Sequence, residues 1–84
     1  MKHAGEAALD QLEPLLGAVR KLPSLVEKKR GIFYRKSAAF LHFHEDKAGL
    51  FADIKLGGGD YTRLRVSTAA ERKAFIAAAK KALA

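Results

Sequence analysis

Residues 32–66 read IFYRKSAAFLHFHEDKAGLFADIKLGGGDYTRLRV, and this stretch decides the fold. Apolar and polar residues alternate with a period of two through four short runs. Successive side chains of a strand point to opposite faces, so the alternation predicts a sheet with one buried and one exposed face. The runs place strands at Ile32–Arg35, Ala39–His44, Leu50–Leu56 and Tyr61–Val66. Between them, Lys36-Ser37-Ala38, residues 45–49 and Gly57-Gly58-Gly59-Asp60 are all of hairpin length, which predicts an antiparallel meander. The core face then carries Ile32, Tyr34, Leu41, Phe43, Leu50, Ala52, Ile54, Leu64 and Val66. The other face collects Arg35, Phe40, His42, His44, Phe51, Asp53, Lys55, Tyr61, Arg63 and Arg65, an aromatic and basic set.

Outward from this stretch, helices are expected on both sides. Leu9, Leu12, Leu16 and Val19 recur at spacings of three and four and form one apolar helical stripe. Pro14 interrupts it. Proline suits a first helical turn but costs about 3 kcal/mol in a helix interior, so the secure helix is expected from Glu13-Pro14 to near Lys21, with residues before Asp10 frayed. Leu22-Pro23-Ser24 stops it. At the other end Thr68 with Glu71 is a capping-box pair, and Ala69 to Leu83 is rich in helix formers, with Lys80 and Lys81 at the favourable end of the dipole. Its expected stripe is Arg72, Ile76, Ala79 and Leu83, flanked by Phe75 and Ala82. The expected fold class is α+β in two layers: helix, four-stranded antiparallel meander, helix, as one domain over 1–84.

Composition sets limits. A chain of 84 residues removes only roughly 60–65% of its unfolded surface from water on folding, so the stability margin is small. The absence of Cys excludes disulfides, thiolate metal sites and nucleophilic Cys chemistry. Met1 to Glu6 lacks the apolar run of a signal peptide, and no segment approaches the roughly 20 apolar residues of a membrane span, which points to a cytosolic protein off the membrane. The net charge of +7 attracts polyanions. It is nevertheless dispersed, over Arg20-Lys21, Lys28-Lys29-Arg30, Arg35-Lys36, Arg63 with Arg65, Arg72-Lys73 and Lys80-Lys81, which is the pattern of background charge more than of one footprint.

Charge also argues the strand register. With Lys55 opposite Tyr61, Asp53 faces Arg63, Phe51 faces Arg65, Ala52 faces Leu64 and Leu50 faces Val66. A slip by two sets Lys55 against Arg63, and like charges directly opposite repel. In the preceding hairpin His42 opposite Phe51 and His42 opposite Asp53 are equally compatible with the pattern.

The run Leu22-Pro23-Ser24-Leu25-Val26-Glu27, then Gly31-Ile32-Phe33-Tyr34, then Ala39-Phe40-Leu41-His42-Phe43, closing on a Lys-rich helix, resembles small bacterial domains of the YdhG-like and MmcQ/YjbR-like kind. The resemblance covers Leu22 to Leu83 and implies a secretion-chaperone-like α+β sheet packed by helices. It implies no functional residue. This chain is shorter than typical members and has no helix among the strands.

Candidate chemistry is sparse. His42 and His44, two apart on a strand, point to one face, an acceptable geometry for two metal ligands if Asp53 or Glu45 completes the set. A site needs three or four convergent ligands, so the pair is read as two exposed histidines on a polar face, with no metal and no cofactor. An imidazole base of His42 and Asp53 has no suitable hydroxyl, because Ser24, Ser37, Ser67, Thr62 and Thr68 fall in turns, a cap or the opposite face, so no enzyme is expected. The glycine run at 57–59 lacks the Lys-Ser/Thr of a nucleotide loop and joins two strands, which reads as a hairpin loop. The exposed face supports two functions. Phe40, Phe51 and Tyr61 with Arg35, Arg63 and Arg65 resemble a single-stranded nucleic-acid platform, in which case binding is weak and non-specific. The preferred reading is an interaction module using Arg35, Phe40, His42, Phe51, Asp53, Tyr61, Arg63 and Arg65 for a protein partner or a homodimer, because Asp53 and Glu45 break up the positive surface.

Overall fold

The computed structural model describes residues 1–57 and 59–84. It is an α+β fold of two helices and one antiparallel sheet. In chain order the elements are β1 (Lys2–His3), α1 (Glu6–Arg20), β2 (Val26–Lys29), β3 (Ile32–Arg35), β4 (Ala38–Asp46), β5 (Gly49–Ile54), β6 (Thr62–Arg65) and α2 (Ala69–Leu83). The sheet order is β2-β3-β4-β5-β6, with β1 paired to β4 beyond the end of β3. Two short strands, β1 and β2, thus join the four expected. Among the described residues, no helix is long and apolar enough to cross a membrane.

Helix α2 starts as the sequence dictates. Thr68 Oγ1 accepts from the Glu71 N–H at 3.1 Å, and Glu71 Oε1 accepts in return from the Thr68 N–H at 2.9 Å. Its core line is Phe75, Ala79 and Leu83. Phe75 is therefore the centre of the stripe and Arg72 its margin, where the guanidinium donates to the Val66 carbonyl at 2.9 Å.

Helix α1 departs from expectation. It begins at Glu6, well before Pro14, which sits exposed inside it. Ala8, Leu9 and Leu12 are all buried. Two buried leucines contribute about 3–6 kcal/mol, enough to offset the roughly 3 kcal/mol of an interior proline. The first residues do not fray either, because β1 pairs Lys2 with Glu45 and His3 with His44, and the Gly5 N–H ahead of the helix donates to Glu45 Oε2 at 2.7 Å.

The register of β5 on β6 is the expected one, with Phe51 opposite Arg65, Ala52 opposite Leu64 and Asp53 opposite Arg63. On β4 the open choice resolves to His42 opposite Asp53. Strand β3 is the correction. Phe33 pairs with Leu41 and is buried, while Ile32 pairs with His42 and Tyr34 is only half-buried, so the core parity assigned to Ile32 and Tyr34 is reversed. A β-bulge then lets Tyr34 pair with Ala39 and leaves Phe40 as an extra residue on β4. One inserted residue shifts the facing of the residues beyond it. Phe40, expected on the exposed face, is thereby 5% exposed and part of the core. Arg35, two residues from Phe33 on β3, shares its face and donates to the Ala82 carbonyl of α2 at 3.3 Å. The bulge is followed, toward the N-terminus of β4, by a two-residue turn in which Lys36 (φ 52°) and Ser37 (φ 67°) both take the left-handed conformation that tight hairpins require.

Leu41, Phe43, Ala52, Ile54 and Val66 meet Leu9, Leu12, Leu16 and Val19 of α1 and Phe75 and Ala79 of α2 in one cluster. Both helices therefore cover the same face of the sheet, and among the described residues the opposite face carries none. Equilibrium denaturation checks this assignment: Leu41→Ala is expected to cost about 2–5 kcal/mol and Phe40→Ala about 3–5 kcal/mol, both insensitive to salt. A near-neutral Phe40→Ala would contradict the bulge.

Candidate functional site

The helix-free face is built from two rows of cross-strand neighbours. One runs His3, His44, Phe51, Arg65 across β1, β4, β5 and β6, and the next runs Ile32, His42, Asp53, Arg63 across β3 to β6. Period two puts His42 and His44 on this side because Leu41 and Phe43 face the helices.

Asp53 is the electrostatic centre. It is 7% exposed, and Arg63 grips it through both oxygens, Nε to Oδ1 at 2.7 Å and Nη2 to Oδ2 at 2.8 Å. That guanidinium holds the carboxyl below its ordinary value against the opposing effect of burial. The pair was expected to be solvent-exposed; in fact Asp53 is buried and only Arg63 reaches solvent. His44 is 8% exposed, which corrects the expectation of two exposed histidines. Its Nε2 lies 3.1 Å from Asp53 Oδ2 but out of line for a hydrogen bond, and neither of its ring nitrogens has a hydrogen-bond partner among the described residues. The Nδ1 of His42 is likewise buried without a partner.

Three rings pack around this centre. His3 stacks on His44 at 4.7 Å between centroids, His42 meets His44 edge-on at 4.8 Å, and His3 lies 5.4 Å from His42. One nitrogen of each can be chosen so that all three lie within 4.8 Å of one another. Tyr61 closes the other flank, its ring edge-on to His42 at 4.8 Å and Lys55 Nζ 5.1 Å from its centroid. Burial raises the Tyr61 phenol above its ordinary value, with the Asp53 charge assisting.

Of the expected site residues, the fold gathers His42, Phe51, Asp53, Tyr61 and Arg63. Arg65 is at the margin, held by Glu71 at 3.1 Å and by the Ala48 carbonyl. Arg35 and Phe40 are on the helix side. The residue that sequence reasoning missed is His3, because a two-residue strand has no periodicity to betray it. The glycine-run reading includes Gly58, which lies outside the described residues. Across the sheet, between α1 and α2, a groove of about 670 Å³ is lined by Leu15, Ala18, Ile76 and Ala77 with Arg72, Lys73 and Lys80. It holds no converging set of polar groups comparable to the imidazole cluster.

No family model matches the chain, and neither a curated protein nor a solved structure matches it. The site is therefore read from its own geometry.

Burial, followed by the neighbouring His44, holds His42 below its ordinary 6.5 in the folded chain, against the pull of Asp53. The unfolded chain then binds this proton more readily, so the associated stability is complete above about pH 6.5 and declines as pH falls from there through the folded value. Asp53 adds a separate loss only below its ordinary 3.8. Urea midpoints measured from pH 7.5 to 5 with a chelator present should fall with acid, and His42→Gln should flatten that fall. An unchanged slope in the variant would remove His42 as the cause.

Proposed function

We propose that the chain is a small non-catalytic binding module whose helix-free sheet face receives a second copy of itself. The observation that carries this reading is the chemistry of the face within a chain of net charge +7. Its centre is Tyr61, Phe51, three imidazoles and an Arg63 neutralised by Asp53. Interface centres favour aromatic residues and Arg and disfavour Lys and Glu. Arg72, Lys73, Lys80 and Lys81 lie on α2, on the far side of the sheet. In a face-to-face pair those charges sit about 30 Å apart, three layer spacings of about 10 Å, well beyond the screening length of roughly 8 Å. The molecule measures 31 × 25 × 23 Å, and a face of that footprint supplies the roughly 800 Å² per partner of a standard interface.

The nucleic-acid reading loses its phosphate ligands. Arg35 is turned to Ala82, Arg63 to Asp53 and Arg65 to Glu71, and Phe40 is in the core. Arg30 is held too, by Glu6, Asp10 and Glu13 of α1. Any polyanion binding is then weak, non-specific and steeply salt-dependent.

Light scattering across a concentration series tests the reading. The expected mass rises to twice that of the chain, Tyr61→Glu returns it to the monomer, and Lys73→Glu on the helix side leaves it unchanged. A monomer at every concentration, or a salt-resistant complex with an added oligonucleotide, would overturn it.

A further inference from the structure

We propose that His3, His42 and His44 form a binding site for a divalent transition-metal ion of the zinc type, with Asp53 as the positioning residue of His44. The chain has three histidines, one near its start and two some forty residues later, and the fold brings all three together. Pairing of β1 with β4 places His3 directly opposite His44, and the pleat places His42 beside it. Nothing in the hydrophobic core requires this convergence, since all three side chains lie on the face away from the helices.

The second observation is unsatisfied chemistry. His44 is more than nine-tenths buried, yet among the described residues both its nitrogens lack a hydrogen-bond partner, as does the buried Nδ1 of His42. Buried polar groups are ordinarily paired, and an imidazole lone pair aimed at other imidazole lone pairs is satisfied by a shared cation. Asp53 Oδ2, 3.1 Å from Nε2 of His44, is placed to accept its proton once the ring turns slightly, which leaves Nδ1 as the coordinating atom. Carboxylates behind metal-bound imidazoles commonly fix the tautomer in this way, and Arg63 holds this carboxylate in place.

The donor set selects the ion. Three neutral nitrogens without thiolate suit Zn²⁺ and its borderline neighbours, whereas Mg²⁺ and Ca²⁺ demand oxygen. At Zn–N distances of about 2.0–2.1 Å the ligating nitrogens of a tetrahedral site stand about 3.3 Å apart, so no pair in the cluster must close by more than about 1.5 Å. His3, exposed and on a strand of only two residues, can supply that movement. Three protein ligands leave a fourth position open to water or to a donor from another molecule. This inference does not require self-association.

The test is a titration of the full chain with zinc after treatment with a chelator, at a concentration where light scattering shows one species, followed by calorimetry and by imidazole ¹⁵N shifts. Because the chain has no other histidine, every imidazole signal reports on the site. Saturation is expected at one equivalent, with all three rings shifting and no response to magnesium. His3→Ala, on the exposed two-residue strand, should retain the fold by circular dichroism and lose at least tenfold in affinity. His42→Gln should do the same, and gives a second reading if one variant unfolds. Asp53→Asn should weaken binding by about 10–100-fold and alter the His44 tautomer ratio seen in the ¹⁵N shifts. Absence of a stoichiometric response to zinc would overturn the proposal. Full affinity in His3→Ala would overturn the three-histidine site, and an unchanged His44 tautomer in Asp53→Asn would remove Asp53 from it.

Discussion

Strand β4 is the constraint on which the rest of the molecule depends. Three other strands, β1, β3 and β5, hydrogen-bond to it, and the core and the open face are its two sides. Leu41 and Phe43 must face the helices, because burying them contributes about 1.5–3 kcal/mol each. Once they do, the pleat commits His42 and His44 to the other side. The bulge at Phe40 breaks the alternation on β4, and it adds a further large side chain to the core at the end of the sheet where Arg35 meets the C-terminal turn of α2.

A sheet face without helices still buries His44 and Asp53. Their cover comes from long or planar side chains lying over them: Arg63 across Asp53, His3 across His44 and Tyr61 beside His42. Such a layer of amphipathic side chains keeps a carboxylate charged and imidazoles partly dehydrated a few ångströms apart, an arrangement that is unusual on a plain solvent-facing surface. Burial and charge act in opposite directions on Asp53, and the bidentate guanidinium is the stronger.

On the helix side, ion pairs organise the surface charge. Arg20 bridges Glu13 of α1 to Glu27 of β2, and Arg30 reaches back to Glu6, Asp10 and Glu13. Exposed pairs of this kind contribute about 0–1 kcal/mol each, so they orient the β2–β3 hairpin against α1 more than they stabilise it. They also neutralise part of the cationic total, which is why basic residues that look available in the sequence are already engaged in the fold.

The sequence by itself determined the α+β class, both helices, the four principal strands, the capping box of α2 and the pairing of Asp53 with Arg63. Each of these follows from short-range rules: period-two and period-3.6 patterns, hydrogen-bonding residues at fixed offsets, and repulsion between like charges across a hairpin. Tertiary structure alone decided the rest. Interior Pro14 was accepted because Leu9 and Leu12 are buried by residues distant in the chain. The bulge that carried Phe40 to the helix side leaves no local signature, since an inserted residue is visible only against the partner strand, and the parity of β3, which turned Phe33 and Arg35 to that side, is equally set by the partner. His3 joined His42 and His44 because two residues at the start of the chain found an unpaired length of β4, and pairing across some forty residues is not written in any local pattern.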